Sequence, residues 1–472
     1  MQCINVLKSR MATKFITIDR QTPLLLPPDL RDWVKKDHLV HFIIDAIEHI
    51  DVSSVAVNQR GSGSAQYPPS MLLALLVYSY ATGVFSSRQI ERTTYENVAV
   101  RLLCADTHPD HDTICTFRRE NRELVQKAFA QLLEMSAACG VLKLGQITVA
   151  VDGTKILANA SKHSSVSYEH AVKTMEALDL EIAELLRKAD AADSAPLQDG
   201  LTIPAEIQRR EERKAILAKA KAEIEARAHL RFQAEQANYE AVVAKRAAFT
   251  EATGKKSSGR EPTKPDPSPG PKDQLNLTDE VSRIMKTGQG FQQCYNAQAG
   301  ADTDSRLIVG PRVTNAPTDK QQLGPNLATI AEHVPVKNVL IDSGFVSEAA
   351  VVKAESSVDG SESGIVVYAA IKREAHGRTI AQLEAHEDPP HPGSDASFSE
   401  RMLHRTATAA GRALYKLRQQ TIEPIFGIIK EALGFRRFLL RGLDKVSIEW
   451  ELVCLAYNFK RLHRLNAQLR PA

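Results

Sequence analysis

The sequence predicts a mixed α/β fold with a helical N-terminal part, a sheet-bearing part and a charged helical insertion inside the latter. Three observations point there: apolar residues recur at spacings of three and four between 27 and 140, short β-branched runs begin after 146, and 169–251 is dominated by Ala, Glu, Lys and Arg. At 472 residues, 43% hydrophobic and 25% charged, the chain has the composition of an ordinary globular protein and the length for two or three domains.

In the N-terminal part, Leu30, Trp33, Val34, Val40, Phe42, Ile43, Ala46 and Ile47 fall on one helical stripe. Gly61 to Ser64 read as a loop, and Pro68 and Pro69 open the next helix. Ser86 and Gln89 fit a capping box at the start of a third. After a polar turn at 107–112, Ile114, Phe117, Leu124, Phe129, Leu132 and Leu133 predict one long helix. The turn together with Arg118, Arg119 and Arg122 is compatible with a helix-turn-helix over 108–121, although a turn between two core helices has the same pattern.

From Gln146 the pattern changes. Ile147 to Val151 form a continuous apolar run that ends on Asp152 and Gly153, as expected of a strand buried on both faces. Similar runs lie at 291–299, 307–314, 339–342 and 365–371, with helical patterns at 320–333 and 408–430. The 169–251 segment reads as two long solvated helices, broken near 194–204 and compatible with an antiparallel hairpin. The Pro, Ser, Gly and Lys-rich stretch after it reads as a flexible linker.

The 60 basic and 57 acidic residues leave a net charge of only +3, which gives no argument for a polyanionic partner. The distribution does: 400–472 holds fourteen Lys and Arg against six Asp and Glu. The six cysteines are scattered with no CxxC pair, as expected of reduced thiols. No apolar run is long enough to span a bilayer and no secretory signal is visible, so we expect a cytoplasmic bacterial protein without a membrane partner, starting at Met1 or Met11.

Asp152 and Asp342 each close a strand-like run before a glycine or a serine, and either one alone reads as a turn aspartate. Glu423 sits in a helical segment with Tyr415, Arg418 and Lys430, and that segment alone reads as an amphipathic helix. Together, three carboxylates on separate elements are what a two-metal phosphodiester site requires, because hard divalent cations take oxygen ligands and leave room for phosphate. On an ideal helix Glu423 and Lys430 share a face, whereas Pro424 disfavours helix at Glu423 and predicts a kink or a helix start there.

The run Tyr415, Arg418, Glu423, Lys430 resembles the signature helix of bacterial insertion-sequence transposases of the DDE type. With Gly411 and Arg412 before it and 434–442 (GFRRFLLRG) after it, it is similar to the group numbered eleven-eighty-two. The four residues between Arg418 and Glu423 depart from the commonest form of the signature and match that group's pattern. Val151 to Thr154 and Ile341 to Phe345 are similar to the strands bearing the family's two aspartates, and 24–28 (LLLPP) followed by Trp33, Asp37 and His38 resembles its N-terminal domain.

The resemblance implies an α/β ribonuclease H-like catalytic domain with a mixed sheet over 146–168 and 275–472. It implies also an all-helical N-terminal DNA-binding domain over 14–140, with 169–253 as helical insertion and 254–274 as linker. Asp152, Asp342 and Glu423 would bind two Mg²⁺, or Mn²⁺ in their place, while Tyr415, Arg418 and Lys430 would contact DNA. The implied activity is binding of terminal inverted repeats and Mg-dependent strand cleavage and strand transfer on double-stranded DNA, by a homo-oligomer of at least two chains. Three alternatives stand beside it: a decayed or domesticated DNA-binding copy, a metal-dependent nuclease outside transposition, and a helical scaffold protein.

Overall fold

The computed structural model describes residues 29–55, 66–143, 145, 147–192, 203–356, 364–371, 388–393 and 395–465. Residues 24–28, the 61–64 loop, Cys3 and both candidate start methionines lie outside them.

Six helices come first: α1 (Leu39–Glu48), α2 (Pro69–Ala81), α3 (Ser87–Glu96), α4 (Val98–Leu103), α5 (His111–Glu120) and α6 (Arg122–Ala138). Pro68 and Pro69 do open α2, where a missing amide costs nothing. Ser86 occupies the N-cap of α3, but its side chain makes no cap bond, so the expected capping box is absent. The single long helix expected after residue 112 is two, broken at Asn121, whose backbone leaves the helical region at φ −105° and ψ 55°.

The sheet is built from β1 (Ile147–Leu157), β4 (Arg283–Thr287), β5 (Gly290–Asp302), β6 (Ile308–Thr314), β7 (Val336–Ile341) and β8 (Val366–Ala369). Central β1 pairs antiparallel with β5 on one side and parallel with β7 on the other, and β8 continues parallel to β7. The outer edge of β5 carries β4 along 290–294 and β6 along 296–301. β1 runs on past Asp152 to Leu157, because β5 supplies partners through Cys294 along its whole second half. The aspartate therefore sits mid-strand, and the short run expected to end on it is only the buried half of a longer strand.

After β6 come α9 (Leu323–Ala331), β7, α10 (Glu348–Glu355) and β8, followed by α11 (Phe398–Ala407), α12 (Ala409–Gly427) and α13 (Leu443–Arg464). The helix α13 is the central support. Facing the sheet, Trp450 donates to the Gln298 carbonyl at 2.9 Å, and Asn458 bonds both the amide and the carbonyl of Ile308. Facing the N-terminal helices, Phe42 meets Phe459 and Tyr80 donates to buried Glu449. One continuous hydrophobic core thus joins the α1–α6 helices to the sheet.

Arg118, on α5, donates to the Tyr80 hydroxyl at 2.9 Å and to the Phe85 carbonyl at 2.8 Å, and it is buried. It is a structural counter-charge to Glu449 and is unavailable to DNA, which removes one of the three arginines from the helix-turn-helix reading.

Between β1 and β4 the chain forms a two-stranded neck, β2 (Ser165–Ser167) against β3 (Gln274–Asn276), from which α7 (Tyr168–Ala192) and α8 (Ile203–Thr253) project. Arg210 pairs with Glu181 at 2.7 Å and Lys214 with Asp179, so the two helices run antiparallel. Past the neck α8 continues alone, and the chain returns beside it, Arg246 donating to the Arg260 carbonyl. The few buried side chains here form two small clusters separate from the main core.

Candidate active site

The β1–β7 register sets the first two acids. Val151 lies opposite Ile341 on parallel strands, so the next residues, Asp152 and Asp342, stand side by side about 5 Å apart in backbone terms. Asp342 caps the short 3-10 turn 343–345 by accepting from the Ser343 amide at 2.7 Å, and Asp152 accepts from the Gly153 amide at 2.7 Å.

Helix α12 crosses behind them and brings the third acid. Pro424 does not end or start the helix, which is continuous across it to Gly427 and then widens into a π-turn over 428–432. Tyr415 and Arg418, one turn apart, face the strand ends. The Tyr415 hydroxyl donates to the Ile341 carbonyl at 3.2 Å, which fixes the backbone just before Asp342.

Arg418 is the hub. Its guanidinium donates to Asp152 at 3.1 Å and to Glu423 at 3.3 Å, and stands 4.0 Å from Asp342. Its side chain is 9% exposed, against 22% for Asp152, 48% for Asp342 and 53% for Glu423, so one buried cation holds three acids that open progressively to solvent. Burial works against the guanidinium charge, but Asp152, Tyr415, Asp342 and Glu423 outweigh it and raise the Arg418 pKa. Burial also pushes Asp152 up to about 6, opposed by the Gly153 amide and Arg418 and reinforced by Asp342 and Asp319.

Lys430 is set apart from these four. The π-turn adds residues per turn, so the shared face expected of Glu423 and Lys430 on an ideal helix does not survive past Gly427. Lys430 is half-buried, and its pKa is lowered by burial, with Cys294 raising it and Lys155 lowering it further.

Behind Asp152, on the opposite face of β1, lies a polar cluster that the sequence reading did not single out. Asp319, from the loop after β6, accepts from Asn296 and Gln298 at 2.7 Å each and lies 3.9 Å from Lys155. Gly153 makes room for it: a Cβ there would stand 2.2 Å from the Gln298 amide nitrogen. The signal was present in β5, where Asn296 and Gln298 place fully buried amides at alternate positions of a central strand.

Two family models match the chain: "Transposase DDE domain" over residues 394–463 and "Transposase domain (DUF772)" over residues 28–120. Both matches are thus to transposase domains, the first of the DDE type. The first match spans α11, α12 and nearly all of α13, with Tyr415, Arg418, Glu423 and Lys430 inside it and both aspartates outside it; the second spans α1 to α5. No curated protein and no solved structure matches the chain. Among its described residues no helix is long and apolar enough to cross a membrane.

Three carboxylates from three elements form a hard oxygen donor set, and against one arginine they leave a formal charge of −2, which suits a divalent cation in kind and in charge. As they stand they surround the Arg418 guanidinium, and among the described residues no three acid, His or Cys side chains are gathered closely enough around one point to hold an ion.

Proposed function

We propose that this transposase binds the terminal inverted repeats of a bacterial insertion sequence and catalyses divalent-metal-dependent strand cleavage and strand transfer on double-stranded DNA. The observation that carries the reading is the convergence of Asp152, Asp342 and Glu423 on one side of β1, from adjacent parallel strands and a crossing helix. The strand order β6, β5, β1, β7, β8, with β5 alone antiparallel to the rest, supports a ribonuclease H-like assignment for this domain.

Asp152, Asp342 and Glu423 are the residues that would hold Mg²⁺ or Mn²⁺. The bound metal would supply an activated water or 3′-hydroxyl and stabilise the leaving oxygen. Asp152 is fixed by its strand and by the Gly153 amide, so it offers a preset anchor, while the more exposed Asp342 and Glu423 adapt to it. Tyr415 and Arg418 act as positioning residues: the first ties α12 to the end of β7, the second holds the acids together against their mutual repulsion. A contact between Arg418 and DNA would require it to leave its three acids. Lys430 and the basic 400–472 segment are the cations we assign to the DNA backbone, and two ends cut in concert call for at least a dimer.

The test is cleavage and joining of DNA carrying the element's ends with Mg²⁺ or Mn²⁺. Asp152→Asn, Asp342→Asn and Glu423→Gln should each lose more than about 100-fold, beyond the loss from an outer-shell partner of a metal site. Full activity in any one variant removes that residue from the site, and hydrolysis without joining by the wild type would identify a nuclease outside transposition.

A further inference from the structure

At the neck of the helical hairpin lies a cavity of about 370 Å³, walled by α8 on one side and by the chain around β3 and β4 on the other. Four cations line it, Arg227, Arg231, Lys272 and Arg283, against one carboxylate, Asp273. Arg227 and Arg231 are one helical turn apart and share a face. Arg231 is matched, 3.0 Å from Asp273. Arg227 gives Nε to Glu223 and Nη2 to the Glu280 carbonyl, both at 2.8 Å, and its Nη1 is buried with no partner. Arg283 gives Nη1 to the carbonyls of Glu280, Val281 and Ser282 at 2.8 to 3.1 Å.

Two guanidiniums therefore meet on one carbonyl oxygen, that of Glu280, in residues that line the cavity, and one of them keeps an enclosed nitrogen without a partner. Burial first, and then the neighbouring Arg227, depress the Arg283 pKa, with Tyr295, Glu223 and Asp279 opposing, as expected of like charges brought close in a partly buried site. Planar guanidinium forks suit tetrahedral oxyanions, which take several N–H bonds at once.

We propose that this pocket binds a phosphate group, with Arg227 and Arg283 as its principal donors and Arg231 and Lys272 at its rim. The source it fits is a DNA backbone phosphate, an assignment that rests on the transposase reading above. The geometry is in register with that reading: Ala158, just past the end of β1 and six residues from Asp152, donates to the carbonyl of Gln293, which lines the pocket. That is about 20 Å, or about six nucleotide steps of a duplex laid along the strand. The hairpin would then contribute a DNA clamp outside the three-acid site.

Two measurements on the full-length protein test this. In the first, inorganic phosphate is titrated against thermal unfolding, with sodium chloride at matched ionic strength as control. Phosphate should raise the wild-type midpoint, and Arg227→Gln should weaken the apparent affinity about tenfold, with Arg227→Lys intermediate. Lys272→Gln, at the exposed rim, gives a smaller loss and guards against a folding defect in the first variant. In the second, binding of end-bearing duplex DNA is followed against salt, where Arg227→Gln should reduce the slope of log K on log salt by about 1. Equal phosphate stabilisation in wild type and Arg227→Gln overturns the site. Loss of phosphate binding with an unchanged salt slope keeps the site and overturns its DNA source. A wild type that binds no DNA at all sinks the transposase reading, while the phosphate titration still decides the pocket.

Discussion

Arg418 neutralises only one of the three negative charges around it, and it does so from a buried position where a lysine could not reach all three. Arg418→Lys should therefore keep the fold yet lose activity at least about tenfold, and Arg418→Ala should lose more, because the acids then repel with nothing between them. Wild-type turnover in Arg418→Lys end-cleavage assays would reduce the residue to a spacer. Gly153 gives a prediction of a different kind. An added methyl would drive Gln298 and Asn296 off Asp319, so Gly153→Ala should cost about 1–3 kcal/mol in urea unfolding, whereas an ordinary turn glycine would tolerate the change. Asp152, Asp342 and Glu423 could be picked out in the chain because their neighbours carry pattern. Asp319 could not, since it lies in a loop and becomes part of the site only when β5 and β6 fold beside β1.

The helices show where local pattern succeeds and where it stops. Periodicity locates α2, α9 and α12 to within a few residues. It overextends at Asn121, where the apolar spacing continues although the backbone turns. Pro424 was expected to disturb Glu423, yet the disturbance appears as the π-turn beyond it, with the helix held by the burial of Ile422, Ile425 and Ile429. Tertiary packing outweighs the proline's local preference there. The α6–α13 contact is testable by pH. Burial first raises the Glu451 pKa to about 7, with Arg122 and Gln126 opposing, and one of its oxygens is buried without a partner. A raised folded pKa means that the native state holds a proton the unfolded chain has lost, so stability falls as pH rises from about 4.5 to about 7. Glu451→Gln should thus be neutral at pH 4 and stabilising by about 2 kcal/mol at pH 8, read from unfolding midpoints. The same stabilisation at both pH values would exclude proton linkage.

Because α13 is covered by the sheet on one side and by α1, α2 and α6 on the other, the helical and sheet-bearing parts share one core. A chain lacking the first 140 residues would expose Trp450's neighbours and leave Glu449 without Arg118, and it should lose cooperative unfolding and bind hydrophobic dyes. The hairpin behaves oppositely. Ser167 is paired with Gln274, so residues 168–273 can be replaced by a two-residue turn without moving either strand. That deletion should keep a single unfolding transition within a few degrees of wild type, and a collapsed fold would show that the hairpin is part of the core. The α/β class, the insertion and the helical start were legible from composition and period. The shared core was not, since α13 is apolar nearly all round and its sequence does not say which neighbour covers which face.

The 51 residues of α8 make a helix about 77 Å long. A compact chain of 472 residues would have a radius of gyration of about 23 Å, or a diameter well short of that rod. The hairpin therefore raises friction in solution above that of a compact body of the same mass. A single 52.0 kDa chain should elute from a sizing column ahead of a spherical standard of equal weight, so that only light scattering or sedimentation equilibrium can count the subunits.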